Sequence, residues 1–473
     1  MTGCAEGFVC AYDANNSSNI HSRYCAKINP WDDSVPDRIP RYQLCSLPPR
    51  ALQRVYGLPV VINNNEEEEE ENTNTTNTNT NTDNHNDKTT KTALPQFAYL
   101  STMGALDETS DHETLVQQKK VQTIIIMVHG SGMNADDYLC TTSAAIPQQQ
   151  QQQHHYASSL SSDTVLVIAP WFVAPYAQAG PVSLYHKPHV DALRWHDQQG
   201  PIYHTWRYGA PAMNHANVSS YAAMDAMIDG ILQDAPVRFP VLQRIVVAGH
   251  SAGGQYTQRW ALLSASRGFA DKNHDNGKKN DKNDDNTVEA PEKQRHGPLR
   301  PISLRVVVAN PKSFCFLDNR RFINGTFTVP NPEDIGNCTE YNHWQWGLER
   351  AADHDFLPTP YKDQAIAHAG GVSAIRRRYA ARDVVYLAGE LDILPNGNCM
   401  DRLQGPYRRQ RSEHFMASLH HLFGRPVHHR LVVTGVYHNH ALMFQSPEGQ
   451  MALFGSWLDT APGMNETVAS ESL

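Results

Sequence analysis

Long apolar runs are missing from this chain of 473 residues. No window approaches the roughly 20 apolar residues that cross a bilayer as a helix, so no transmembrane segment is expected. A basic excess is missing too: 40 Lys and Arg stand against 49 Asp and Glu, a formal charge of -9. Nucleic-acid binding draws on clustered cations that neutralise phosphates. The basic runs Arg376 to Arg378 and Arg408 to Arg411 are short and helix-like, so no nucleic-acid partner is expected. The opening Met1-Thr2-Gly3-Cys4 lacks the charged and apolar regions of a secretory signal. Paired C-x-x-C spacings, which zinc sites need, do not occur, and no metal is expected.

Cysteine usage pulls against the missing signal. Cys4, Cys10, Cys25 and Cys45 crowd a loop-like first segment, while Cys315, Cys338 and Cys399 sit among Asn, Gly and Pro rather than in strands. That placement reads as disulfides, and hence as an oxidising compartment. Asn-x-Ser/Thr triplets at Asn16, Asn217, Asn324, Asn337 and Asn465 permit glycosylation. An extracellular or secretory location is therefore expected, with a start that is truncated or wrongly assigned; a cytoplasmic location is the alternative.

Three low-complexity tracts interrupt the chain: acidic and Asn/Thr-rich Asn63 to Thr92, glutamine-rich Gln148 to His155, and the Lys/Asn/Asp mixture Asp271 to His296. None has the apolar content to offset its ordering entropy, so each reads as a disordered loop or linker. The resulting division is a Cys-rich segment over 1–60, a linker over 63–92, a body over 93–460 with insertions at 148–155 and 271–296, and a tail over 461–473.

Within the body, short apolar runs bounded by Gly, Pro, Asn or Asp alternate with helix-like stretches. Val121 to Val128, Thr164 to Ala169, Arg244 to Ala248, Ser303 to Val308, Asp383 to Leu387 and Arg430 to Thr434 are candidate strands. Tyr221 to Leu232, Gly254 to Ser266 and Tyr407 to Leu422 are candidate helices. This alternation marks an α/β fold, a mostly parallel sheet covered on both faces, with chemistry at the carboxyl ends of its strands.

The sharpest signal lies at one such end. Gly249-His250-Ser251-Ala252-Gly253-Gly254 joins a strand directly to a helix. The small residues leave room for a strained turn that lifts the Ser251 hydroxyl above the sheet, at the positive end of the helix dipole. A serine hydroxyl needs a positioned base. His438 follows the last strand, with His440 a rival two residues on that, paired with it, equally suits a metal. The base in turn needs an acid. Asp392, in Gly389-Glu390-Leu391-Asp392, is the leading candidate; Glu390 is the substitute, and a solvated turn aspartate is the bland reading. Donors for an oxyanion are expected from the amides of Ser131 and Gly130, in the turn His129-Gly130-Ser131-Gly132, together with that of Ala252. Trp195, Tyr203, Trp206 and Tyr208, within Pro188 to Met213, line a pocket or fill the core.

These segments, taken with Asn134-Ala135 and Gly435 to His438, resemble the α/β-hydrolase superfamily, most closely an uncharacterised serine esterase-like branch. Tyr341-Asn342, Trp344 and Gly347, and Gln404-Gly405-Pro406 with Arg408, are similar to that branch as well. The resemblance spans Thr123 to Phe454. It implies a sheet of about eight strands, a Ser251-His438-Asp392 triad and no cofactor. The Cys-rich leader and the low-complexity insertions are no part of the pattern. The function expected is hydrolysis of a small-molecule or lipid-like carboxylic ester through an acyl-enzyme. A serine peptidase and a noncatalytic binding protein on the same scaffold are the alternatives, because fold alone does not set the reaction.

Overall fold

The runs of Val, Ile and Leu become the strands at the centre of the molecule. In the computed structural model the described residues are 8–12, 23–27, 55–60, 94–107, 110–147, 160–174, 191–196, 205–269, 301–349 and 360–455. The tracts Asn63 to Thr92, Gln148 to His155 and Asp271 to His296 lie outside them. So do Cys4, Cys45, Asn16, Asn465, Tyr203 and the 461–473 tail.

Eight strands make one sheet: β1 (Tyr56–Pro59), β2 (Gln96–Ser101), β3 (Thr123–Val128), β4 (Val165–Pro170), β5 (Arg244–His250), β6 (Ser303–Ala309), β7 (Asp383–Gly389) and β8 (His429–Val433). Their spatial order is β8-β7-β6-β5-β3-β4-β2-β1. β2 runs antiparallel to β1 and β4, and every other neighbouring pair is parallel. The six strands expected from apolar runs are all present, with ends shifted by one or two residues. β1 and β2 are additional. β1 is a four-residue edge strand containing Gly57 and Pro59, two residues that weaken any local strand signal, and it lies at the end of the 1–60 segment that was set apart from the body.

A strand covered on both faces sends alternate side chains into two layers. In β3, Ile124, Ile126 and Val128 enter one core and Ile125 and Met127 the other, all without solvent exposure. Each such side chain contributes roughly 1.5–3 kcal/mol by leaving water. The first layer is closed by α1 (Ser220–Arg238), α2 (Ala252–Leu263), α3 (Val372–Ala380) and α4 (Arg408–Phe423), through Met224, Met227, Tyr256, Trp260, Ile375, Tyr379 and Phe415. The second is closed by three other helices, through Tyr138 and Leu139 of Ala135–Ala144, Phe444 of His440–Gln445 and Leu453 of Pro447–Phe454. Among the described residues no helix is long and apolar enough to cross a membrane.

Cys338 and Cys399 form a disulfide across 61 residues of sequence, and Cys140 is also disulfide-bonded. Cys315 departs from the disulfide expectation. It is a free thiol buried in the first core layer, and burial pushes its pKa up to about 12, which leaves it unreactive. Near the start, Phe8–Tyr12 and Arg23–Lys27 pair as an antiparallel hairpin with Cys10 opposite Cys25 in register.

Candidate active site

Backbone crowding explains the glycines around Ser251. A Cβ at Gly253 would sit 2.3 Å from the Val128 carbonyl oxygen, one at Gly249 would sit 2.4 Å from that of Gly253, and one at Gly254 would sit 2.5 Å from that of Ala309. Real Cβ atoms do not approach backbone so closely, so β5 and α2 meet the neighbouring strand ends only because these positions are bare. Ser251 occupies the turn with φ 58 and ψ -115, and its amide donates to the Ala309 carbonyl at 3.0 Å. A non-glycine residue at positive φ is costly, and here the strain sits on the serine whose hydroxyl projects beyond the sheet. Strand order, the lone antiparallel β2 and this strand-turn-helix now decide the architecture. The chain has the α/β-hydrolase fold.

His438 follows β8 in a turn opened by Gly435, whose φ is 70. Its Nε2 lies 2.9 Å from Ser251 Oγ and its Nδ1 lies 2.8 Å from Asp392 Oδ2. Asp392 is buried just past β7, and His438 is half-buried. Burial works to raise the Asp392 pKa, but the opposing charges and hydrogen bonds of His438 and Arg408 outweigh it and hold the carboxyl below its ordinary value. The structure thus brings Ser251, His438 and Asp392 into one hydrogen-bonded line.

The two rivals lie elsewhere. His440 is the first residue of its helix, stacked on the Tyr138 ring at 4.0 Å, with Nε2 3.8 Å from Asp137. Glu390 accepts the Gly435 amide at 2.8 Å, so it ties the turn before the base. Among the described residues no group of three or more His, Cys, Asp or Glu could hold a metal ion.

The turn His129-Gly130-Ser131-Gly132 lies beside the elbow: a Cβ on Gly130 would be 2.7 Å from the Tyr138 hydroxyl and 3.9 Å from the His250 carbonyl oxygen. His129 holds that turn. Its Nε2 accepts the Phe172 amide at 3.1 Å, which puts its proton on Nδ1, 2.8 Å from the Gly130 carbonyl. Complete burial lowers the His129 pKa to about 4, so the ring stays neutral. Among the described residues neither the Ser131 nor the Ala252 amide donates to a backbone carbonyl in a turn or loop.

Sequence reasoning missed Asn310, which follows β6 at φ 42 and is buried. Its Oδ1 accepts the Gly389 amide at 2.8 Å and its Nδ2 donates to the Tyr437 carbonyl at 3.1 Å, so one side chain joins the loops bearing Asp392 and His438. An asparagine closing an apolar run, directly before a proline, is the signal that could have found it. The further stretches that resembled the branch, from Tyr341 to Gly347 and from Gln404 to Arg408, are mostly braces: Gln404 pairs with both backbone groups of Phe314, and Trp344 Nε1 donates to the Tyr208 carbonyl. Arg408 alone among them reaches the triad line, 3.5 Å from Asp392 Oδ1. Trp195 and Trp206 are core residues, Trp206 stacked on Phe172 at 4.6 Å.

No family model matches the chain, and no curated protein matches it. Solved structures similar to it include a poly(3-hydroxybutyrate) depolymerase from Bordetella parapertussis, 17% identical over 76% of this chain and 84% of that one, with a TM-score of 0.38. A poly(aspartic acid) hydrolase-1 from Sphingomonas sp. KT-1 is 16% identical over 76% and 93%, TM-score 0.39. A siderophore hydrolase from Aspergillus nidulans is 12% identical over 77% and 92%, TM-score 0.33. The assignment of fold rests on strand order and the elbow, not on these likenesses.

Proposed function

We propose that this protein is a serine hydrolase that cleaves carboxylic esters through an acyl-enzyme. The observation that carries the reading is the line Ser251 Oγ, His438, Asp392, with contacts of 2.9 and 2.8 Å. Ser251 attacks the ester carbonyl carbon while His438 Nε2 takes the hydroxyl proton, and Asp392 balances the imidazolium. The amides of Ser131 and Ala252, with Gly130 beside them, hold the oxyanion. Collapse expels the alcohol, which receives the proton from His438. Water then attacks the acyl carbon with His438 again as base, releasing the acid and restoring Ser251.

An apolar ester fits the surroundings. Leu391, Ile393 and Leu394 flank the acid, Tyr437 precedes the base, and all four side chains are exposed. Apolar side chains left in water beside a reactive group are suited to cover a substrate of like character. The Cys338–Cys399 disulfide supports an oxidising compartment. Asn217, Asn324 and Asn337 are exposed, as glycan acceptors would be.

The test is labelling with a fluorophosphonate, read by intact mass on the wild type and on Ser251→Ala, beside hydrolysis of a panel of short and medium acyl esters. Stoichiometric labelling and hydrolysis that both vanish in the variant are expected. Folded protein that takes no label overturns the reading in favour of a binding protein; labelling with cleavage of peptide amides but not esters would make it a peptidase.

A further inference from the structure

We infer that Arg408 is the permanent counter-ion of Asp392 and a positioning residue for the triad, tuning the pH at which His438 can act as base. The kinetic part of this rests on the hydrolase reading; the electrostatic part does not. Arg408 opens α4, and its guanidinium stands 3.5 Å from Asp392 Oδ1 while Oδ2 faces His438 at 2.8 Å. Only 8% of the Arg408 side chain and 4% of that of Asp392 are exposed. A carboxylate taken out of water needs a compensating charge, and a neutral imidazole supplies a hydrogen bond but no charge. A guanidinium stays charged at every pH the protein survives.

The surrounding charged groups are otherwise engaged. Arg409 gives its amide to the Asp392 carbonyl at 3.2 Å, and its side chain goes to Glu413 and the Glu390 carbonyl. Glu390 is turned to Gly435. Arg411 donates to the carbonyls of Gly405, Lys312, Asn396 and Pro406, and Asp401 accepts from Trp346 and faces Lys312. On the far side of His438 the rings of His250, at 4.5 Å, and beyond it His440 are packed.

Two consequences follow from one ion pair. With Oδ1 anchored, Oδ2 is fixed toward Nδ1, which selects the tautomer that leaves Nε2 free to accept the Ser251 proton. Removing the Arg408 charge also takes away a cation close to the triad line, so a variant without it is expected to differ from the wild type in its pH profile.

The experiment compares Arg408→Gln with Arg408→Lys in the full chain. The kcat/KM pH profile is recorded on an ester, and His438 is titrated by NMR in a Ser251→Ala background, where no turnover is needed. Arg408→Gln is expected to move both the acid limb and the His438 midpoint up by about 0.5–1 pH unit. Arg408→Lys should keep the midpoint near the wild type while lowering kcat, because an ammonium holds a carboxylate without the planar fork. Equal shifts in both variants, or a shift in neither, overturn the inference. Thermal unfolding covers a variant that folds poorly. Arg408→Gln should lower Tm in the wild-type background and not in Asp392→Asn; equal losses in both backgrounds overturn the pairing. Absence of ester hydrolysis in the wild type would sink the hydrolase reading and leave the NMR and melting outcomes interpretable.

Discussion

The nucleophile and the acid are held by opposite means. Ser251 is fixed by backbone on backbone: bare glycines let β5 and α2 close against the ends of β3 and β6, and the residues responsible lie within six positions of one another. Asp392 is fixed by side chains from afar, with Arg408 on one oxygen, His438 on the other, and Asn310 tying its strand to the base loop. A site built from local crowding tolerates no added atom. One built from long side chains is adjustable, and its residues tune the chemistry by degrees.

The largest effects belong to the first region. Ser251→Ala is expected to lower turnover by about 10⁴–10⁶ with the fold intact. Gly253→Ala should abolish turnover by another route, because a Cβ 2.3 Å from the Val128 oxygen forces the helix off the sheet. Circular dichroism and melting separate the two: Tm should be unchanged in the first and clearly lower in the second. A well-folded, active Gly253→Ala would mean that local crowding does not hold the nucleophile.

The second region should respond in graded steps. Asp392→Asn keeps the shape but presents an amide to the histidine, and a loss of about 10⁴ in kcat is expected. Glu390→Gln, whose side chain holds the Gly435 turn, should stay within several-fold of wild type. The reverse ranking would reassign the acid. Asn310→Ala removes both ties between the acid and base loops, and an intermediate loss of about 10–10²-fold is expected, since small misplacements cost that much. Steady-state kinetics on one ester ranks all three.

The same division decides what could be read from sequence. Gly249, Ser251 and Gly253 announce themselves because strand, turn and helix are consecutive, and each local preference agrees with the fold. Asp392 and His438 were findable from strand ends, and His438 contacts both Asp392 and Ser251. Asn310 and Arg408 carry fainter marks, an Asn-Pro after an apolar run and a place in a resembling stretch, that do not tell their roles: their partners lie 79 and 16 residues away, and no periodicity encodes a contact across that distance. Cys315 misleads for a related reason, since its irregular local surroundings resemble a disulfide loop while its true neighbours are α2 and the core. β1 escapes notice because a four-residue edge strand carries little apolar signal, whereas β2 is internal and buried from Phe97 to Ser101, an apolar run that sequence reasoning did not take up.

Acid should separate the two regions without any change in chemistry. His129, on the nucleophile side, and His428, just before β8 on the base side, are both buried, and burial lowers each pKa from about 6.5 to about 4. Between those values the unfolded chain binds protons that the folded protein refuses, so stability is complete above pH 6.5 and falls as pH drops toward 4. At pH 5 each histidine costs about 2 kcal/mol relative to neutral pH. His428 Nε2 faces the Tyr379 carbonyl at 2.9 Å, a contact that a glutamine amide can replace without titrating. His428→Gln should therefore leave turnover near wild type and narrow the gap between unfolding free energies at pH 8 and pH 5 by about 2 kcal/mol. An unchanged gap would show that His428 is not among the groups that resist protonation.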